Sequence, residues 1–173
     1  MSSPTSPRIP PPAAPAASGP LSATAWPEAP VPVFPPPAVL GEWRPATPAE
    51  VTVTRRALLG LVLAADRAAG RPPPAEALVE RLLLVYEELT SNAVRHGHPP
   101  VRAQLACHAG TWILLVTDGA PHRPPEQVTG RDPAHGGLGA TLVARLASAH
   151  GWWAVDGHKV VWATVDGARP ALR

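Results

Sequence analysis

Glu88-Leu89-Thr90-Ser91-Asn92-Ala93-Val94-Arg95-His96-Gly97 closes a long helical stretch and decides how the rest of the chain is read. Upstream, Leu78, Leu82, Val85, Tyr86, Leu89 and Ala93 recur at helical spacing and form one apolar stripe. Residues four apart stand one above the other on a helix, so Glu88 and Asn92 address one spot in space. At about 100° per residue, Asn92 falls at the edge of the apolar arc and Glu88 just beyond it. Glu80, Glu87 and Ser91 fall on the opposite, water-facing side. Of the two adjacent acids, Glu88 is therefore the candidate for chemistry. A carboxylate that takes a proton and an amide oxygen that holds Mg²⁺ are parts of a phosphoryl-transfer site. The plainer reading is a solvated helix acid and a helix-end polar group.

Working outward, Thr47-Pro48-Ala49-Glu50 has the pattern of a helix start: Thr as N-cap, Pro in the first position, Glu in the third. This helix is expected to run to about Ala69 and stop at Gly70, before Pro72-Pro73-Pro74. The helix bearing Glu88 begins near Ala75 and ends at His96-Gly97. Two β-like runs follow, Val101 to His108 and Trp112 to Asp118, joined around Gly110 as a hairpin. Gly119 to Gly136 has no periodicity and reads as a long functional loop. A third helix is expected from Leu138 to His150. Trp152 to Val155 and Val160 to Val165 then read as a closing hairpin around Asp156-Gly157. Grouped strands with helices between them predict an α+β fold with its helices on one face of a mostly antiparallel sheet.

The chain has 173 residues and 25 prolines, and fourteen prolines lie between Pro4 and Pro45. Residues 1–46 are too poor in apolar surface to offset ordering entropy and are expected to form a disordered Pro/Ala-rich tail. That leaves one folded domain over 47–168 and a short tail over 169–173. The net charge of +2 is not clustered, which argues against direct nucleic-acid binding. Lys159 is the single lysine. One cysteine, Cys107, excludes an internal disulfide and fits a reducing cytoplasm. The N-terminus lacks the apolar core of a signal peptide, and the longest apolar run, Ala57 to Ala65, is too short to cross a membrane.

Two further motifs carry chemistry. Gly136-Gly137-Leu138-Gly139 precedes a helix. Its glycines let backbone approach a phosphate, and the helix start offers free N–H donors. An ordinary glycine-rich turn is the plainer reading. Asp118 ends a strand, where its carboxylate can accept from an adenine amino group. Asp-Gly is equally a turn signal. No Gly-x-x-x-x-Gly-Lys-Ser/Thr run is present. His96, His98, Cys107 and His108 form a rival zinc set, but their spacing fits no familiar site.

In this order, Glu-x-x-x-Asn on a helix, a strand-end Asp, Gly137-x-Gly139 before a helix, and the closing strand Lys159-Val160-Val161-Trp162-Ala163 resemble the GHKL, or Bergerat-fold, ATP-binding family. The chain looks most like its bacterial anti-sigma-factor serine/threonine kinases, over about Thr47 to Val165. The resemblance implies a two-layer α/β sandwich that binds ATP and Mg²⁺. It implies Asn92 as metal ligand, Glu88 as general base, Asp118 as adenine contact, and Gly137, Leu138 and Gly139 as phosphate contacts. The loop from Gly119 to Gly136 would be a lid. The chain departs from the family in its first glycine box, where Asp118-Gly119-Ala120-Pro121-His122 lacks the later glycines. It departs also near Val160, where a Thr often helps hold adenine-bound water.

The implied activity is transfer of a phosphoryl group to a Ser or Thr of an antagonist protein, which frees the kinase to hold a sigma factor. Relatives often form homodimers. The alternative is a partner-docking module that uses nucleotide only as a conformational ligand, or not at all. A histidine-kinase fragment is disfavoured, because no phosphoacceptor helix precedes the domain and a Pro-rich tail could not form one.

Overall fold

The computed structural model describes residues 26–32, 38–125 and 138–167. Strand β1 (Val39–Trp43) is followed by helices α1 (Pro48–Ala68) and α2 (Glu76–His96). Strands β2 (Arg102–His108) and β3 (Thr111–Asp118), helix α3 (Leu138–Leu146), and strands β4 (Ala149–Val155) and β5 (His158–Val165) complete the chain. The five strands form one antiparallel sheet in the order β1-β2-β3-β5-β4. The helices cover one face of it. The fold is the expected α+β arrangement.

Local chemistry explains the elements. Thr47 caps α1 by accepting from the Glu50 N–H at 3.3 Å, with Pro48 in the first turn. Val51, Leu58, Val62 and Asp66 are its buried face. The buried face of α2 includes Leu82, Val85, Tyr86, Leu89 and Ala93, the stripe read from the sequence. Tyr86 is fully buried; its hydroxyl donates to Thr54 Oγ1 at 2.6 Å, and its ring meets Trp43 edge-on. Arg81 of α2 donates to the carbonyl of Asp166, just beyond β5. Both hairpins turn through two residues of positive φ, Ala109-Gly110 and Asp156-Gly157. That geometry matches the twist of paired strands.

Along β3, Trp112, Leu114, Val116 and Asp118 face the helices, opposite Val165, Ala163, Val161 and Lys159 of β5. The core is therefore continuous from the Trp112 end of the sheet to the polar pair at the Asp118 end.

Three boundaries differ from expectation. First, Val39–Trp43 belongs to the sheet, although the sequence placed all of 1–46 in a tail. Its backbone pairs with β2 from Val39↔Ala106 to Trp43↔Ala103. Second, residues 26–29 lie along β4. Ala29 donates to the Trp152 carbonyl at 2.8 Å, and Trp152 donates to that of Pro27 at 3.0 Å. The Trp26 ring is buried against His150, 4.5 Å between centroids, and the Trp162 indole donates to Ala29 O at 2.7 Å. Third, α3 ends at Leu146 rather than His150. Ser148 donates to Thr164 O at 2.8 Å and Ala149 to Thr164 Oγ1 at 3.0 Å, so β5 recruits this stretch into the sheet.

Candidate functional site

Helix α2 carries the site on its C-terminal half. Glu88 and Asn92 are half-buried, whereas Glu87 is exposed and pairs with Arg55 of α1 at 3.1 Å. Glu80 and Glu87 face water as the sequence predicts, whereas Ser91, expected beside them, is half-buried like Asn92. Opposite Glu88 and Asn92 stands Gly139, in the first turn of α3. A Cβ built at Gly139 would overlap Glu88 Oε2 and lie 3.6 Å from Asn92 Nδ2. A larger residue there would make the Glu88 carboxyl swing away from the start of α3. Three of the sequence-predicted residues, Glu88 and Asn92 on α2 and the distant Gly139 on α3, therefore meet at one place. Leu138 opens the same helix, while Gly136, Gly137 and most of the expected lid lie outside the described residues.

Burial raises the Glu88 pKa above its ordinary value. Arg95 opposes the shift and Glu87 adds to it. Desolvation disfavours the charged form, so the carboxylate is a better proton acceptor than an exposed one.

Just beyond Asn92, at the C-terminus of α2, the chain turns at Gly97 and passes beside the end of β3. A Cβ at Gly97 would stand 2.5 Å from Ala93 O and 2.6 Å from Asp118 Cγ, so the helix terminus is pressed against the Asp118 side chain. Gly119 donates to His98 O at 2.7 Å and holds the two turns together. Asp118 is 1% exposed. Its Oδ1 accepts from the Ala120 N–H at 2.9 Å, as an Asx turn does. Its Oδ2 lies 3.1 Å from Lys159 Nζ. The two are near enough to be an ion pair, but they lack hydrogen-bond alignment and Oδ2 has no aligned donor.

Sequence reasoning missed Lys159. It singled out Val160 as standing near the place of the family's Thr, and the register pairs Asp118 with Lys159 and Thr117 with Val160. Directly paired residues point to the same side of a sheet, so Lys159 shares the helix-facing side with Asp118 and Val160 does not. The lone lysine in a hydrophobic strand was the available signal. The rival zinc set finds no support, since no cluster of three His, Cys, Asp or Glu able to hold a metal occurs among the described residues.

This geometry offers a proton acceptor and an amide facing a glycine at a helix start, and a buried carboxylate one helix-end away. Those are the polar groups a nucleotide triphosphate needs at its two ends. A family model described as the histidine kinase-like ATPase domain matches residues 45–165. The chain belongs to this family of ATP-binding domains. Among solved structures, the RsbU and RsbW domains of Rv1364c from Mycobacterium tuberculosis are similar in fold, with a TM-score of 0.53 and 17% identity. That match covers 79% of this chain and 34% of the other, so the chain spans about a third of that relative. Acinetobacter baumannii histidine kinase AdeS is 18% identical over 53% of this chain and 48% of its own, with a TM-score of 0.38. A search of curated proteins finds no match. Among the described residues, no helix is long and apolar enough to cross a membrane.

Proposed function

We propose that the protein is an ATP-dependent serine/threonine kinase of the anti-sigma-factor type, acting on an antagonist protein in the cytoplasm. The observation that carries this reading is the meeting of Glu88, Asn92 and Gly139. A domain that only bound nucleotide would have no use for a proton acceptor beside the metal-binding amide.

The residues fit the groups involved. The free backbone N–H groups at the start of α3 suit phosphate, with Gly137, Leu138 and Gly139 as the contacts in this reading. Asn92 would hold Mg²⁺ through its amide oxygen, beside the phosphates and the waters that such an ion keeps. Asp118 reads the base through Oδ2. Bound ATP supplies the phosphoryl group. Glu88 accepts the proton of the partner's Ser or Thr hydroxyl as that oxygen bonds to phosphorus and ADP departs. Raising the Glu88 pKa strengthens it for that proton transfer. Phosphorylation of the antagonist then leaves the kinase free to hold a sigma factor, as a monomer or homodimer.

A specific observation favours the docking-module alternative: the Asp118 carboxylate already faces a cation. The test is thermal unfolding with millimolar ATP and Mg²⁺. Ligand at 100 times Kd adds about 2.7 kcal/mol to unfolding. No shift in Tm would sink the nucleotide reading, and a shift without phosphoryl transfer to any captured partner would favour the docking module.

A further inference from the structure

Lys159 is the single lysine of the chain and is 8% exposed. It lies on a strand whose helix-facing neighbours, Val161, Ala163 and Val165, are apolar. An ammonium carries three N–H donors. Among the described residues, its one ion-pair partner is Asp118, whose Oδ2 completes no aligned hydrogen bond. A buried ion pair whose carboxylate oxygen lacks an aligned donor is costly, and a valine at this position would fold as well or better. The pair therefore has a chemical use that packing does not supply. Its two atoms stand 3.1 Å apart at the same sheet end, one accepting and one donating. That is the complement of a heterocycle edge on which a donor and an acceptor are neighbours.

We infer that Lys159 is a second base-reading residue, whose N–H donates to the ring acceptor next to the group that Asp118 accepts from. The inference rests on the nucleotide reading above. On adenine, Asp118 takes the amino hydrogen at position 6 and Lys159 donates to N1. On a 6-oxopurine the order is reversed: Lys159 donates to O6 and Asp118 accepts from N1–H. A carboxylate alone would set its charge against O6, whereas the mixed pair satisfies either edge when the flexible lysine head crosses to the other side of the carboxylate as the base slides. Base selectivity among purines is therefore relaxed.

The test compares Mg²⁺ complexes of ATP, GTP and 1-deaza-ATP, which lacks the N1 acceptor, on the full chain. Wild type is expected to bind GTP within about ten-fold of ATP. It should bind 1-deaza-ATP about ten-fold or more weakly, the usual loss when a charge-assisted hydrogen bond goes unmade. In Lys159→Met the gap between ATP and 1-deaza-ATP closes, and Lys159→Gln restores part of it through a neutral N–H. A purely structural lysine would weaken all three ligands alike and leave their ratios unchanged, which overturns the inference. Equal binding of ATP and 1-deaza-ATP by wild type overturns it without any variant. Tighter ATP binding by Lys159→Met overturns it by showing that the lysine blocks the site. Wild type that binds neither ATP nor GTP overturns the nucleotide reading as well. ATP binding with none of the expected ratios overturns this inference alone.

Discussion

Glu88, Glu87 and Asn92 are three polar residues on one helix with three different surroundings, and the differences are measurable. Glu87 is exposed beside Arg55, a geometry that contributes little in water, so Glu87→Ala should leave ATP binding and transfer within about two-fold of wild type. Asn92→Ala removes the proposed metal ligand and should weaken Mg²⁺-dependent ATP binding itself. Glu88→Gln should leave ATP bound while slowing transfer by roughly 10²–10⁴-fold, the range for loss of a general base. Equal behaviour of Glu87 and Glu88 variants in paired binding and transfer assays would contradict this assignment. Glu88 also carries a pH signature. Its folded-state pKa is raised, so the folded protein holds the proton more tightly than the unfolded chain does. The stability this contributes is complete below the unfolded pKa, near 4.5, and is lost as pH rises through the folded value. Wild type should therefore lose Tm relative to Glu88→Gln over that interval, and the difference should level off above it. A difference that is flat from pH 4 to 8 would mean the carboxyl is not desolvated.

Helix pairs and strand ends hold these residues in place, and elements were unequally legible in the sequence. α1, α2 and both hairpins were readable because cap, stripe and turn chemistry are local: Thr47, the Leu82 to Ala93 stripe and Asp156-Gly157 carry their own signals. β1 was not readable. Val39–Trp43 is short, interrupted by Gly41 and flanked by prolines, and its strand identity comes from the free edge of β2. The end of α3 was misjudged for a similar reason. Ala149 continues the helical stripe, yet Thr164 offers both backbone and hydroxyl partners that draw residues 148–149 into the sheet. Asp118 and Gly139 were legible as residue types in order, while the Asp118–Lys159 contact depends on a register that one strand cannot reveal. The two close approaches along the C-terminal half of α2 make a contrasting prediction. At Gly139 a methyl group meets the tip of Glu88, a flexible side chain that can swing aside. Gly139→Ala should keep a near-native Tm and lose transfer activity. At Gly97 it meets the backbone of Ala93 and the buried stem of Asp118, which cannot yield cheaply. Gly97→Ala should cost about 1–3 kcal/mol by overpacking. Denaturant unfolding of both variants checks this, and equal destabilisation would argue against the geometry.

The whole molecule closes its sheet with the segment that composition assigned to a tail. The two free edges of the order β1-β2-β3-β5-β4 are β1 and β4. Residues 27–29 pair with the β4 edge, and β1 itself comes from residues 39–43, so two stretches only ten residues apart serve opposite sides of the domain. An exposed edge is a template for pairing with another chain, and covering it protects the monomer. The Pro-rich composition suits this use, because proline at positions 27 and 30 removes donors that would extend the ladder to a further strand. Two truncations separate the contributions. Removing residues 1–38 takes away Trp26 and the bonds to Trp152 but keeps β1. It should cost about 1.5–3 kcal/mol, the scale for burying one large apolar side chain, with unfolding still cooperative. Removing residues 1–45 also uncovers Tyr86 by taking Trp43, and it frees the β2 edge. That variant should be less stable again and should self-associate as concentration rises, seen as a growing apparent mass in light scattering. A 46–173 fragment that is monomeric and as stable as the full chain would show that the N-terminal strands add nothing to the fold. ATP affinity offers an independent readout, since neither edge borders Glu88, Asn92 or Asp118. Wherever the shorter proteins remain folded, they should bind nucleotide as the full chain does.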